Sequence, residues 1–415
     1  MVAAVFLMQP IGQALAQVLN VAVILVRDNS HNLQAMRCGL DTKYEYECRQ
    51  SIDGIWRIVI GVGAVPALLA ILFRFMLPDS GMYNLEVRRK SELVMRNVAK
   101  VYGGSGLQVD ARSIPLDPVP NEPEPDMPIQ FSRRDMYRYF IKDRNWLYLL
   151  GTSGTWFILD VALCGFGLDN RVVLADMWAT KRKVPNWADT LPVWQTDYTE
   201  PCNTIYDVLL TQAKHYLLTV SIGSILGCAA FIFMAKYFPR RQFLTASFVS
   251  LAILFSATGG VYYAVHHGPR AISTAVMVGI CHFAFNFGAN SLTFLIPAEI
   301  FPTTYRCFCH GISAAAGKLG SIVAVFMVYS INNKYEAIMK QGLVFLLFAG
   351  IGAVGAIFSW AYLPDIQRRG SDGQLANPTL EELGEGLRRA EAEGQVFTVR
   401  EKWALFQFRW KGPQV

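Results

Sequence analysis

Eight apolar runs alternate with polar segments along this chain, at residues 2–27, 55–77, 146–167, 215–235, 243–263, 272–296, 310–330 and 342–364. Each is close to the ~20 residues an α-helix needs to cross the hydrocarbon of a bilayer. The runs are continuous rather than alternating, and lipid offers no partner to an open strand edge. The pattern therefore predicts helices throughout. The expected fold class is all-α, a polytopic membrane protein. The first run has no basic stretch before it and continues past the length of a signal-peptide core, so it predicts a span rather than a cleaved leader.

Composition agrees with this reading. Hydrophobic residues make up 53% of the chain and charged residues only 17%, against roughly 25% charge in a soluble domain. The net charge of +6 is concentrated between the apolar runs. Segment 78–145 carries eleven Lys and Arg, including Arg88, Arg89, Lys90, Arg133 and Arg134. The turn Lys236–Gln242 adds Lys236, Arg240 and Arg241, and the tail from Arg368 to Lys411 adds eight more. Threading the spans puts these three segments on one side. The opposite segments (28–54, 168–214, 264–271, 331–341) hold half as many. The excess assigns the first group to the cytoplasm. No basic patch interleaved with aromatics occurs, so a nucleic-acid partner is not expected.

The organisation that follows is a two-span segment at 1–77, a central loop at 78–145, six spans at 146–364 and a tail at 365–415. Within the loop, 101–128 is Gly-rich and then Pro-rich and reads as an exposed linker. In the tail, Leu380–Glu393 is a short helical candidate with acids before bases, as a helix dipole prefers. Cys307 and Cys309 have no second pair nearby, so no metal site is expected. Cys38, Cys48 and Cys202 lie on the non-cytoplasmic side; Cys38 and Cys48 share a loop and are able to pair, with connectivity open. The motifs for nucleotide hydrolysis, zinc proteolysis and serine hydrolysis are missing, so neither an enzyme nor a cofactor is expected.

Candidate chemistry sits where polar groups interrupt apolar sequence, because such groups are costly at membrane depth and face a cavity or a partner. Asp160 lies mid-span, where a carboxylic acid can exchange a proton near neutrality; the alternative is a structural aspartate with a fixed partner. Trp156 lies one turn earlier on the same face. Its indole N–H donates and cannot accept, which suits an anion, although aromatics also mark membrane interfaces. Phe285–Gly320 reads FNFGANSLTFLIPAEIFPTTYRCFCHGISAAAGKLG, two apolar helices around a P-x-E-x-F-P-x-x-x-R turn. Asn286 and Asn290 are four apart and point one way. Lys318 is either a point charge for an anion or a counter-ion for Asp160, or it snorkels to the cytoplasmic face.

These residues resemble a known family. FNFGANSLTFLIPAEIFPTTYR with HGISAAAGKLG, TWFILDVALCGFGL at 155–168, VAAVFLMQPIGQ at 2–13 and GIWRIVIGVGAVPALLAILFRFMLPDS at 54–80 are similar to the fungal-type phosphate:proton symporters of the major facilitator superfamily. The resemblance covers all eight spans in order and implies that they are helices five to twelve of a twelve-helix fold. The first four, with the family's first-helix aspartate, would then be missing from a truncated chain. It implies phosphate contacts for Trp156, Asn290 and Gln9, beside which the residue chemistry itself adds Asp160 and Lys318 as anion-site groups and Asp160 as the proton-coupling acid. It leaves Asn286 to packing. Glu299 and Arg306 become a clasp at the inward gate. Arg240 and Arg241 resemble the superfamily's G-R-R turn, with Lys236 in place of the usual acid, a change expected to weaken that gate. Cys164 replaces the family's tyrosine one turn beyond Asp160, and Ala289 replaces a proline, which predicts a straighter helix.

The function implied is symport of inorganic phosphate with protons by alternating access, in a membrane-embedded protein most simply placed at the plasma membrane. Two alternatives remain: a phosphate-sensing fragment that does not transport, and a porter for another solute such as a sugar. A lysine beside a mid-helix acid argues against the last, because a neutral sugar needs no counter-charge. Oligomeric state is left open.

Overall fold

A computed structural model describes residues 2–76, 132–168, 194–195, 200–264, 271–334, 337–364, 367–369 and 375–376. The chain enters as α1 (Val2–His31) and α2 (Glu45–Met76). A short α3 (Arg133–Tyr137) precedes α4 (Trp146–Leu163). Then come α5 (Ile205–Tyr216), α6 (Ile222–Met234), α7 (Arg240–Ala264), α8 (Ala271–Ala284), α9 (Asn290–Ile300), α10 (Thr303–Lys334) and α11 (Ala337–Tyr362). The described strand structure is one antiparallel pair of two-residue strands, β1 (Arg368–Arg369) and β2 (Leu375–Ala376). Among the described residues, eight helical stretches are long and apolar enough to cross a membrane, and they coincide with the eight runs read from sequence. The linker at 101–128 and the helix at Leu380–Glu393 lie outside the described residues.

Among the described residues, three spans carry π turns. Cys164–Leu168 extends α4, Leu217–Ser221 joins α5 to α6, and Phe285–Ala289 joins α8 to α9. Such turns widen the helix and free backbone carbonyls for side chains. Here Ser291 Oγ donates to the Asn286 carbonyl at 2.5 Å. The straighter helix expected from Ala289 is therefore replaced by an irregular one. Alanine removes the proline ring but does not impose the regular ladder.

α4 and α6 to α11 share one core, built largely from phenylalanines: Phe166, Phe231, Phe248, Phe255, Phe285 and Phe348 are all at most 1% exposed. Within it α4 packs on α10 and α11, and α7 on α11. α1 packs on α5, α6 and α9, whereas α2 leans on α1 and is exposed beyond Ile55 except at Val59. A second, smaller core joins Ile24, Leu33 and Ile55 to Tyr206 at the start of α5. Cys38 and Cys48 are disulfide-bonded there, and Cys202 is free and exposed. The Cys38 carbonyl accepts from the Ile205 backbone N–H at 3.0 Å, tying the loop to α5. Thr204 and Asp207 form a capping box that starts α5 at that point. Beside the cytoplasm-assigned end, Tyr139 packs on Tyr305 at 5.0 Å between centroids. Burial pushes its phenol well above the usual range.

Candidate functional site

The site forms where α4 and α10 touch. Two glycines permit the approach. A β-carbon at Gly317 would stand 2.5 Å from Trp156 Cδ1 and 2.9 Å from Asp160 Oδ2. At Gly320 it would overlap the Phe157 carbonyl. Small residues at a helix crossing let backbones come close, the usual device in lipid, where apolar burial gives no drive to associate. Hydroxyls stitch the same seam, with Thr152 Oγ1 and Ser313 Oγ 2.9 Å apart.

This seam brings together residues far apart in sequence. Asp160 is 4% exposed. Its Oδ2 accepts from Ser321 Oγ at 3.3 Å and lies 3.6 Å from Lys318 Nζ. The Lys318 side chain is 78% exposed, so the ammonium reaches the acid from the open side of the seam. The head of Lys318 thus lies beside Asp160 while most of its side chain stays exposed. Cys164 Sγ lies 3.1 Å from Ser321 Oγ. The thiol thus touches the same hydroxyl that serves the acid.

Trp156 is half-buried one turn below Asp160, and its ring closes against Phe294 of α9 at 6.2 Å and His310 of α10 at 5.5 Å. Phe6 of α1 packs on Phe294 at 5.0 Å. α1, α4, α9 and α10 therefore converge on one aromatic cluster beside the Asp160–Lys318 pair.

Asn290 stands one turn before Phe294. Its Nδ2 donates to Asn286 Oδ1 at 2.9 Å, and Asn286 Nδ2 donates to the His282 carbonyl at 3.0 Å. The ladder fixes which way the Asn290 amide faces. Among the described residues no hydrogen bond links Asn290 to Asp160; the connection runs through Phe294 and Trp156. Gln9 is exposed on α1, and its side chain makes no hydrogen bond to another described residue.

At the far end of α9, Glu299 accepts from Arg240 at two points, Nε to Oε2 at 2.9 Å and Nη2 to Oε1 at 3.2 Å. Both side chains are nearly buried, at 13% and 14% exposed. Arg240 also donates to the Ala235 carbonyl. Arg306 instead donates Nε to the Phe301 carbonyl at 3.1 Å, bracing the turn. The motif glutamate thus pairs with the first residue of α7, not with its own motif's arginine. Lys236 lies over the Tyr237 ring at 4.9 Å. Arg241 is half-buried and lines a groove of about 650 Å³ between α7 and Trp360 of α11, away from Asp160.

Sequence reasoning missed Ser321, Phe294 and His310. The signal for the first and last was spacing: His310, Gly317 and Ser321 fall at intervals of seven and four, along one face of α10. Among the described residues no three metal-ligating side chains gather.

Comparison with known proteins adds the family context. The model for the sugar (and other) transporter family matches residues 204–372. The inorganic phosphate transporter PHO84 of Saccharomyces cerevisiae is 29% identical over 96% of this chain and 63% of its own length. The repressible high-affinity phosphate permease of Neurospora crassa is 30% identical over 95% of this chain and 64% of its own. This chain thus spans a little under two thirds of these relatives. Among solved structures, the major facilitator superfamily proton:xylose symporter XylE aligns with a TM-score of 0.50 at 17% identity, over 89% of this chain and 66% of that one. That likeness concerns the fold.

Proposed function

We propose that this chain is an inorganic phosphate transporter of the major facilitator superfamily, with a secondary-transport function: symport of inorganic phosphate with protons by alternating access. The chain is a multi-pass integral membrane protein, and its relatives are transporters rather than enzymes. The single observation that carries the reading is the buried Asp160 carboxylate 3.6 Å from the Lys318 ammonium, beside the Trp156 ring.

The pair explains coupling by charge balance. In the empty site, Asp160 and Lys318 neutralise each other. Dihydrogen phosphate competes for the ammonium. Asp160 then loses its counter-charge in a buried position, where an unpaired carboxylate is costly, and takes up a proton. The loaded site holds a neutral acid and a phosphate–ammonium pair, so its net charge is again zero. Two neutral states can rock between the faces of the membrane, whereas anion or proton alone would leave a charge exposed to low dielectric. Trp156 supplies an N–H donor to the anion, and Asn290 and Gln9 supply amide donors that add no charge.

In this reading residues 1–77 and 146–364 contribute to two bundles that move against each other. Segment 78–145 and the tail 365–415 lie in the cytoplasm, and the membrane is the plasma membrane. Arg240 and Glu299 hold the inward end of the second bundle rigid. Purified chain in proteoliposomes tests the proposal. Phosphate uptake stimulated by acid outside, and lost in Asp160→Asn, supports it. Phosphate binding without uptake would instead favour a sensing role, and competition by hexose but not by phosphate a sugar porter.

A further inference from the structure

We propose that His310 forms a second, protonatable station for the transported anion, on the opposite side of Trp156 from Asp160. The inference rests on the symport reading above. His310 precedes Lys318 by eight residues on α10, which places it about 12 Å away along the helix axis. One phosphate cannot bridge that distance. His310 lies toward the end that carries the Arg240–Glu299 pair, so an anion leaving Lys318 in that direction passes Trp156 first and His310 next.

Three rings meet at this point. The His310 imidazole is perpendicular to Trp156 (5.5 Å, 89°) and to Phe294 (5.0 Å, 87°). Aromatic packing holds an imidazole in place without consuming either ring nitrogen. The residue is half-buried, and its ring makes no hydrogen bond to another described residue.

The charged groups around it are few. On α4, Asp160 lies one turn beyond Trp156 and is held by Lys318 and Ser321. On α10, Lys318 lies two turns one way and Arg306 one turn the other, with the Arg306 Nε engaged by the Phe301 carbonyl. On α9, Glu299 is five residues past Phe294 and is held by Arg240. α1 presents Phe6. No carboxylate among the described residues touches the ring. An imidazolium here therefore lacks a counter-ion, and a dihydrogen phosphate provides one. A bound dihydrogen phosphate favours the protonated imidazole, so the station holds an anion when protonated and releases it, with the proton, to a less acidic compartment.

The test uses full-length chain with 13C-labelled histidine, inorganic phosphate as the probe, and the variants His310→Gln and His310→Asn, which keep hydrogen-bonding capacity but do not titrate. One imidazole resonance, missing from both variants, is expected to shift when phosphate is added and to titrate at a higher pH with phosphate than without it. From about pH 6 to 7.5, phosphate affinity should fall roughly threefold further in the parent than in either variant. Phosphate's own titration is common to all three proteins. A resonance blind to phosphate, or superimposable pH profiles, overturns the proposal. A parent that binds no phosphate at any pH overturns the phosphate reading of the whole site, and this inference with it. A parent that binds with a His310-independent profile overturns this inference alone.

Discussion

Gly317 lies against the Trp156 indole so closely that a β-carbon there would stand 2.8 Å from Nε1 and 2.9 Å from Asp160 Oδ2. One methyl group would therefore meet two candidate site residues at once. Gly317→Ala is expected to cost about 1–3 kcal/mol of stability through overpacking. It should weaken phosphate binding as well, because the indole and the carboxylate must both move. Thermal unfolding in detergent and phosphate titration of the same sample check this. A stable variant with parental affinity would show that the seam yields without disturbing the site.

The Arg240–Glu299 pair should behave as a mostly buried ion pair. Glu299→Ala strands the guanidinium and is expected to cost about 3–5 kcal/mol. The exchange of charges in an Arg240→Glu, Glu299→Arg double variant should recover part of that loss. A double-mutant cycle followed by thermal unfolding reads the coupling directly. Additive effects would mean that the two side chains act independently.

Asn286 should matter for binding although it is a packing residue by sequence. Its carbonyl oxygen accepts from Asn290, so Asn286→Ala frees the Asn290 amide to rotate. One hydrogen bond of about 1 kcal/mol corresponds to a loss of roughly fivefold in phosphate affinity. Asn290→Ala should lose at least as much. If Asn290→Ala binds phosphate as well as the parent while Asn286→Ala does not, the roles of the two amides are reversed.

All eight spans were legible in the sequence, because continuous apolar runs of span length have few other uses. Asp160, Trp156 and Lys318 were legible for the complementary reason: polar or anion-suited groups stood out against those runs. The partner of each was not. Glu299 had Arg306 within its own motif and Arg240 and Arg241 in a distant turn, and only tertiary packing selects Arg240. The π turn at Phe285–Ala289 leaves no mark in hydrophobic periodicity, since it adds one residue to a helix already buried on most sides. His310 was hidden because it follows Cys307, Phe308 and Cys309, so it looked like ordinary helix rather than a wall of the site.

Acid-driven phosphate uptake by the parent chain and by Asp160→Asn, measured in the same vesicles across a range of external pH, bears most directly on the role of the buried carboxylate. The account predicts uptake that rises as the outside is acidified in the parent and is lost in the variant, while the variant still binds phosphate. Acid-stimulated accumulation that persists undiminished in Asp160→Asn would contradict it.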